Sequence, residues 1–274
     1  MSIGADSQAQ QQQQQQQCES SSSTSSTSTS TRTHRFRVAR PAQAFQTAIE
    51  SGELQLHDAD ETDVDFVLHS FDSALPYLLS IGSEAQWGTL PFSAKPDVVA
   101  LFTQQVQQSW TTYTAAVARG KEEENAGPGW YRVVILEVRL TNTNTNTKWR
   151  RVAAMCVGCG IPDYVPLATI AQPDRDIHDF VYLKSFIVDR RSGTLARGSG
   201  AKLVPHAVQL AQSLAKKTLW VDCWKGNRDK LISYYESLGF EQLKPNPVFE
   251  VPDKHGKGLP WTGCLLKMSA ATTQ

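Results

Sequence analysis

Polar and apolar residues recur with different periods along this chain, and the changes of period mark its elements. From Phe180 to Val188 most positions are aromatic or β-branched, which predicts a buried strand. Leu203, Ala207, Leu210, Ala211 and Leu214 then recur at helical spacing. Thr218–Cys223 reads as a second short strand. A last helix is expected to open at Asn227 and to end at Gly239, a residue suited to the left-handed position just past a helix. The stretch from Phe180 to Phe240 is therefore a strand, a glycine-rich turn, a helix, a strand and a short closing helix.

The N-terminal half gives a second set of elements. Phe36–Val38 can form a short strand and Ala42–Glu50 a short helix, but Leu54–His57 is the preferred first strand because a capped helix follows it. Thr62 and Asp65 have capping-box spacing. Val64, Val67, Leu68, Phe71, Leu75, Leu78 and Leu79 then share one helical face, which Pro76 should kink or split. A further helix is expected to start at Lys95-Pro96-Asp97, with Val99, Phe102, Val106, Trp110 and Tyr113 on one side. Trp87–Phe92, between the two helices, is either a cleft wall or a hydrophobic loop anchor. Tyr131–Leu140 and Arg151–Cys159 read as two strands joined through a Thr/Asn hairpin tip at Thr141–Thr147. Val248–Val251 and Leu265–Met268 supply closing strands.

Composition separates the chain into two parts. Residues 1–33 are a glutamine tract followed by a serine/threonine tract, too poor in apolar side chains to offset chain entropy, and are expected to be a disordered tail. Residues 34–274 are enough for one α/β domain. Lys and Arg number 27 against 27 Asp and Glu, so generic electrostatics do not favour nucleic acid as a partner. No apolar run is long enough for a membrane span, and the N-terminus lacks the pattern of a secretion signal. Five cysteines without a dense framework fit a reducing compartment, cytoplasmic with the nucleus left open. Cys156 and Cys159 have C-x-x-C spacing, but they lie in an expected strand and lack a second pair, so buried thiols rather than a metal site are expected.

A βαβ unit with a glycine turn after its first strand aims backbone N–H groups at an anion. Gly193 and Gly198 have P-loop spacing, yet Ser199-Gly200 follow where Lys and Ser/Thr are required. Gly198-Ser199-Gly200 begins a dinucleotide fingerprint, but Leu203 stands at its third glycine. Both motifs fail.

Arg197-Gly198-Ser199-Gly200-Ala201-Lys202 instead resembles the pyrophosphate loop of the GCN5-related N-acetyltransferase (GNAT) superfamily, with Lys202 where a small residue is usual. Arg190–Gly193 is a competing frame for this loop. Asp222–Asn227, Leu231, Tyr234-Tyr235-Glu236 and Gly239-Phe240 are similar to the family's strand-Asn-helix-Tyr-Gly-Phe ending. The two blocks cover about a quarter of the chain.

The resemblance implies a GNAT-like α/β fold of α+β type, with a central mixed twisted sheet and flanking helices. It implies an acetyl-CoA-dependent N-acetyltransferase acting on an amine, without metal. Phe186, Ile187 and Val188 would hold the pantetheine and polarise the carbonyl. Arg197, Gly198, Ser199, Gly200, Ala201 and Lys202 would hold the pyrophosphate. Asn227 would contact the cofactor arm. Tyr235 would give the departing thiolate its proton, with Tyr234 as the neighbour in an alternative register. Glu137 and Asp179 are candidate bases beside a water chain. The acceptor, a small molecule or a protein, stays unnamed, and homodimerisation stays open. A silent acyl-CoA-binding module and a scaffold protein are the alternatives.

Overall fold

The computed structural model of the chain describes residues 32–121, 127, 129–140, 148–170, 179–252, 254 and 260–271. The expected tail, apart from Arg32 and Thr33, and the Thr141–Thr147 hairpin tip lie outside the described residues.

The first strand is β1 (His34–Val38), followed by α1 (Ala42–Glu50). This corrects the preference for Leu54–His57. Leu56 makes only an isolated bridge to Trp149 and packs with Phe45 and Ala48 under α1. Arg35 and Arg37 on β1 bind a buried carboxylate of the neighbouring strand, a pairing that the short apolar pattern of β1 does not reveal.

Helix α2 spans Asp63–Ser80 and α3 spans Pro96–Ala118. The Asp65 N–H donates to Thr62 Oγ1 at 3.2 Å, satisfying one of the orphan donors of the first turn. Pro76 neither splits nor ends α2; it sits one turn from the end, and past it only Leu78 is buried. Pro96 opens α3 at its first turn, where a missing N–H costs nothing.

The antiparallel part of the sheet continues with β2 (Tyr131–Leu140) and β3 (Lys148–Gly158). Then come β4 (Phe180–Val188), α4 (Ser199–Ser213), β5 (Thr218–Trp224) and α5 (Lys230–Ser237). The short β6 (Glu241–Gln242) and β7 (Val248–Val251) both pair with β8 (Trp261–Ser269). The sheet order is β1-β2-β3-β4-β5-β8-β6, with β7 on β8; β4 and β5 are parallel, and every other pair is antiparallel. The architecture is thus a central mixed sheet with helices on both faces. The helical crossover α4 is what a parallel neighbour requires.

The period-two alternation of the strands decides what each face covers. Val134, Leu136 and Val138 of β2 pack with Leu203, Ala207, Leu210 and Ala211 of α4 and with Ile232 and Tyr235 of α5. Val133 and Ile135 point the other way, to Phe66 and Phe71 of α2 and Phe102 and Val106 of α3.

In β4 the alternation is interrupted. Its register against β3 runs Val157↔Leu183 and then Cys156↔Ser185, so Lys184 is an extra residue, a β-bulge. Before it, Val181 and Leu183 face α4. After it, Phe186 packs on that same side while Ile187 joins the α2/α3 core. One inserted residue thus reverses which parity faces which layer.

Candidate functional site

The two parallel strands stay together for only three pairs, Phe180↔Thr218, Val181↔Leu219 and Tyr182↔Trp220. Beyond them β4 continues to Val188 and β5 to Trp224 with no further pairing to each other. Burial follows this change: Phe180–Leu183 are buried, whereas Lys184, Ser185 and Phe186 are half-buried. The bulge falls where the strands part. The result is a cleft in the middle of the sheet, with a cavity of about 590 Å³ between Leu183–Phe186 and Val221–Trp224. Trp87, Phe92 and Phe102 close one side, and Tyr235 lies at its floor. A second cavity of about 270 Å³ involves Ile187, Val188, Arg190, Trp224 and Asn227.

Trp87 and Phe92 are both cleft wall and loop anchor. Their rings stand 5.0 Å and 4.7 Å from Phe71, and the Phe92 N–H donates to Asp72 Oδ1 at 2.5 Å. Trp224 walls both cavities, and a side chain on Gly226 would collide with its ring.

After β4 the chain makes a tight double turn from Arg190 to Ala196, broken at Gly193, whose φ of 50° and ψ of −127° suit only glycine. This accommodates the long connection. Asp189 anchors it, accepting from the Arg191 N–H at 3.0 Å and from the Ser192 hydroxyl at 3.1 Å. Arg190 stacks on Tyr77 at 3.6 Å, and Arg191 pairs with Glu61 at 2.7 Å. Gly198 then takes a left-handed conformation as the N-cap of α4. Ser199 is buried, and its hydroxyl is without a hydrogen-bond partner among the described residues. Gly200 is demanded by packing: a Cβ there would stand 2.2 Å from the Tyr234 hydroxyl and 3.3 Å from the Phe186 ring. Ala201 and Lys202 are exposed on the first turn.

The tyrosine pair divides as the helical stripe Leu231, Tyr235, Leu238 suggests. Tyr235 is buried among Phe186, Phe240 and Tyr234, with ring centres 6.2, 5.5 and 5.7 Å away. Tyr234 is more than a third exposed, with its hydroxyl over Gly200. Burial pushes the Tyr235 phenol well above its ordinary pKa, and the neighbouring Cys223, Tyr234 and Asp222 add to the rise. The group therefore keeps its proton at any ordinary pH. Its position is fixed by the helix end. The Phe240 N–H donates to Tyr235 O at 3.1 Å and the Gly239 N–H to Glu236 O at 3.0 Å, a Schellman motif with Gly239 at φ 95°. The accompanying contact between Phe240 and Tyr235 clamps the ring.

Asn227 does not open the last helix; α5 starts at Lys230. Asn227, Arg228 and Asp229 are all left-handed, at φ 48°, 57° and 57°. The Asn227 amide donates to Ser83 Oγ at 2.8 Å and to Ile81 O at 3.4 Å, tying the end of α2 to the β5–α5 turn beside the smaller cavity.

The carboxylates singled out as bases are engaged elsewhere. Glu137 is buried between Arg35 and Arg37, at 2.6 and 2.5 Å. Asp179 precedes the paired end of β4 and binds Lys217 at 2.6 Å. Asp97 and Asp222 line the main cavity, and Asp222 of β5 accepts from the Tyr182 hydroxyl at 2.6 Å and from the Tyr164 hydroxyl at 2.9 Å. Sequence reasoning missed Asp222, Tyr164, Trp261, Lys184 and Lys254. The one available signal was an acidic residue inside the otherwise apolar strand Thr218–Trp224. His206 of α4 stacks on Phe36, with ring centres 4.2 Å apart. Cys156 and Cys159 are buried free thiols, and burial pushes Cys156 up to about 12, so it is inert. Among the described residues no group of His, Cys, Asp or Glu could hold a metal ion, and no helix is long and apolar enough to cross a membrane.

No protein-family model matches the sequence, and no curated protein matches it. Solved structures do. One is a protein of Desulfovibrio desulfuricans assigned to the GNAT family of acetyltransferases (11% identity, 87% of this chain, 100% of that chain, TM-score 0.45). Another is a protein of Salmonella typhimurium assigned as an acetyltransferase and solved with its cofactor acetyl-CoA (13%, 88% and 95%, TM-score 0.46). A third is an N-acetyltransferase of Staphylococcus aureus Mu50 (11%, 87% and 99%, TM-score 0.45). At these identities no residue's role is transferred, and the functional reading has to come from the cleft itself.

Proposed function

We propose that the chain is an acetyl-CoA-dependent N-acetyltransferase whose reaction takes place in the β4/β5 cleft. The observation that carries this reading is the parallel pair that parts at Tyr182/Trp220, exposes a bulged strand edge, and leaves the buried Ser199 hydroxyl without a hydrogen-bond partner among the described residues. Buried polar groups are normally paired, so such a group beside a cleft fits a ligand that pairs it.

The residues suit that ligand. The backbone of Leu183–Val188 lacks a β5 partner and can hold an amide-bearing arm in the manner of an added strand. Its N–H groups, freed by the bulge, can stabilise charge on a carbonyl oxygen. The N-terminus of α4 at Gly198–Gly200 offers orphan N–H groups, the Ser199 hydroxyl and the helix dipole to a pyrophosphate. Arg197 and Lys202 add positive charge, and Arg190 is the alternative anion partner. Asn227 contributes by holding the turn that borders the cofactor arm. Acetyl-CoA would supply the acetyl thioester.

Tyr235 holds a proton that the cleft can deliver to a departing sulfur, and its raised pKa keeps that proton in place until a stronger base forms beside it. Tyr234, with its hydroxyl over Gly200, suits a role in positioning the first turn of α4 rather than in proton transfer. An acceptor amine has to shed a proton before attack. Asp222, which lines the same cavity on β5, is the carboxylate of the parted strands that can take part in that transfer, directly or through water.

The reading is tested by calorimetric titration of the full chain with acetyl-CoA, followed by thiol release over a panel of amines. Binding with turnover on at least one amine is expected. Binding without turnover on any amine would favour a silent acyl-CoA-binding module, and absence of binding would remove the reading.

A further inference from the structure

The main cavity contains a cation box that the cofactor reading does not use. Trp261 of β8 is buried, and its indole N–H donates to Gln86 O at 3.1 Å, which fixes the ring. Tyr164 stands at 78° to it, with ring centres 6.4 Å apart, so the two faces form a corner. The Tyr164 hydroxyl donates to Asp222, as does that of Tyr182. An acceptor-only carboxylate thus closes the corner of two electron-rich faces.

Into this corner reaches Lys254, from the segment between β7 and β8. Its ammonium lies 3.4 Å from the centre of the Trp261 ring and 3.8 Å from that of Tyr164. Aromatic faces attract cations most strongly where water is excluded. The other lysines of the cavity are engaged elsewhere: the Lys184 ammonium donates to Gly160 O at 3.0 Å, and that of Lys95 lies 4.5 Å from the centre of the Phe92 ring. Burial lowers the pKa of Lys254 to about 8, against an opposing pull from Asp222. A primary alkylammonium therefore sits in the same cavity as Tyr235 and the bulged edge of β4, at some cost in solvation and held by a loop side chain alone.

We propose that the corner of Tyr164, Trp261 and Asp222 is the acceptor subsite, that it selects a cationic primary alkylamine such as a lysine side chain or a short diamine, and that Lys254 fills it until an acceptor displaces it. As an acceptor subsite this rests on the acetyltransferase reading; as a cation site it does not.

The test uses n-butylammonium as probe, titrated calorimetrically into the full chain without acetyl-CoA. Lys254→Ala empties the corner and should bind the probe roughly tenfold tighter than the unaltered chain, the order of a desolvated cation–aromatic contact. Adding Trp261→Leu, or Asp222→Asn, to Lys254→Ala should reverse that gain. Neutral n-butanol should bind neither chain measurably. Equal probe affinity with and without Lys254, or equal binding of butanol, overturns the proposal. So does binding of butyrate to the unaltered chain that vanishes in Lys254→Ala, because the lysine would then be an anion ligand. Acetyl-CoA is titrated separately. Acetyl-CoA binding without the amine effects removes the subsite and leaves the proposed function standing. The amine effects without acetyl-CoA binding do the reverse.

Discussion

Two sets of buried polar groups, at opposite ends of this sheet, are handled in opposite ways. At the β1–β3 end the carboxylates of Asp63 and Glu137 are buried and saturated. Asp63 receives Arg37 through two bonds at 2.5 and 2.7 Å, Arg151 at 3.1 Å and the Arg40 N–H at 2.8 Å. Each oxygen of Glu137 has an arginine. At the β4–β5 end the buried Ser199 hydroxyl has no partner among the described residues. Burying polar groups without partners is costly in either place. For Asp63 and Glu137 the chain itself meets that requirement, which marks a structural clamp between β1, β2 and α2. For Ser199 the requirement is left open, which is what a ligand site looks like before its ligand is counted.

The sharpest test of the cleft end is Tyr235→Phe, which removes a hydroxyl and keeps the ring. The expected loss is roughly 10²–10⁴-fold in kcat with little change in melting temperature or acetyl-CoA affinity. A hydroxyl with a purely structural role would leave kcat near normal, and activity lost in Tyr234→Phe instead would exchange the two tyrosines.

The opposite outcome is expected at the saturated end. Asp63→Ala leaves Arg37 and Arg151 buried without their shared carboxylate and should cost about 3–5 kcal/mol in urea unfolding. Acetyl-CoA affinity of the folded fraction should be unchanged. Burial alone would raise the Asp63 pKa, but Arg37 and Arg151 outweigh it and hold the carboxyl below its ordinary value. A depressed folded pKa gives stability that is present above the unfolded value, about 3.9, and is lost as pH falls through the folded one. Acid unfolding below about pH 4 should therefore be blunted in Asp63→Ala relative to the unaltered chain, measured as the pH dependence of the urea midpoint.

Smaller effects should follow at the cofactor end. Ser199→Ala should weaken acetyl-CoA binding by about tenfold, the scale of one hydrogen bond to a charged group, with stability unchanged or improved because a buried orphan is gone. Equal affinity would move the phosphate contacts to Arg190–Gly193. Gly239→Ala forces a side chain onto a left-handed position and should cost about 1–2 kcal/mol, together with a modest fall in kcat as the clamp on Tyr235 loosens. The smallest effect is expected for removal of residues 1–31: melting temperature and acetyl-CoA affinity should both stay within error. A clear change in either would assign that segment to the working domain.

Much of the site could be read from residue order. The turn Arg197–Lys202 and the stripe Leu231, Tyr235, Leu238 are local patterns, and local patterns fix which side chains share a helical face. Glu137 and Asp179 misled for a related reason. A carboxylate in an apolar strand signals that something pairs it, but not whether the partner is an arginine one strand away or a substrate. Asp222 carries the same signal and meets the cleft instead.

The sequence alone determined the periods, and with them the long strands from Tyr131 onward, the capped helix at Thr62, the glycines of the α4 turn and the helix end at Gly239, because each is a short-range consequence of backbone sterics and of apolar spacing. Tertiary structure decided the rest. The bulge at Lys184 depends on register against β3 and reverses the facing of Phe186 and Ile187. The parting of β4 from β5 after Tyr182 depends on two strands nearly forty residues apart. The corner of Tyr164, Asp222 and Trp261 gathers a loop and two strands that no period relates. Sequence spacing fixes the face on which a side chain lies, whereas the neighbour it meets there is set by how distant strands pair, and the chemistry of this cleft lies in those pairings.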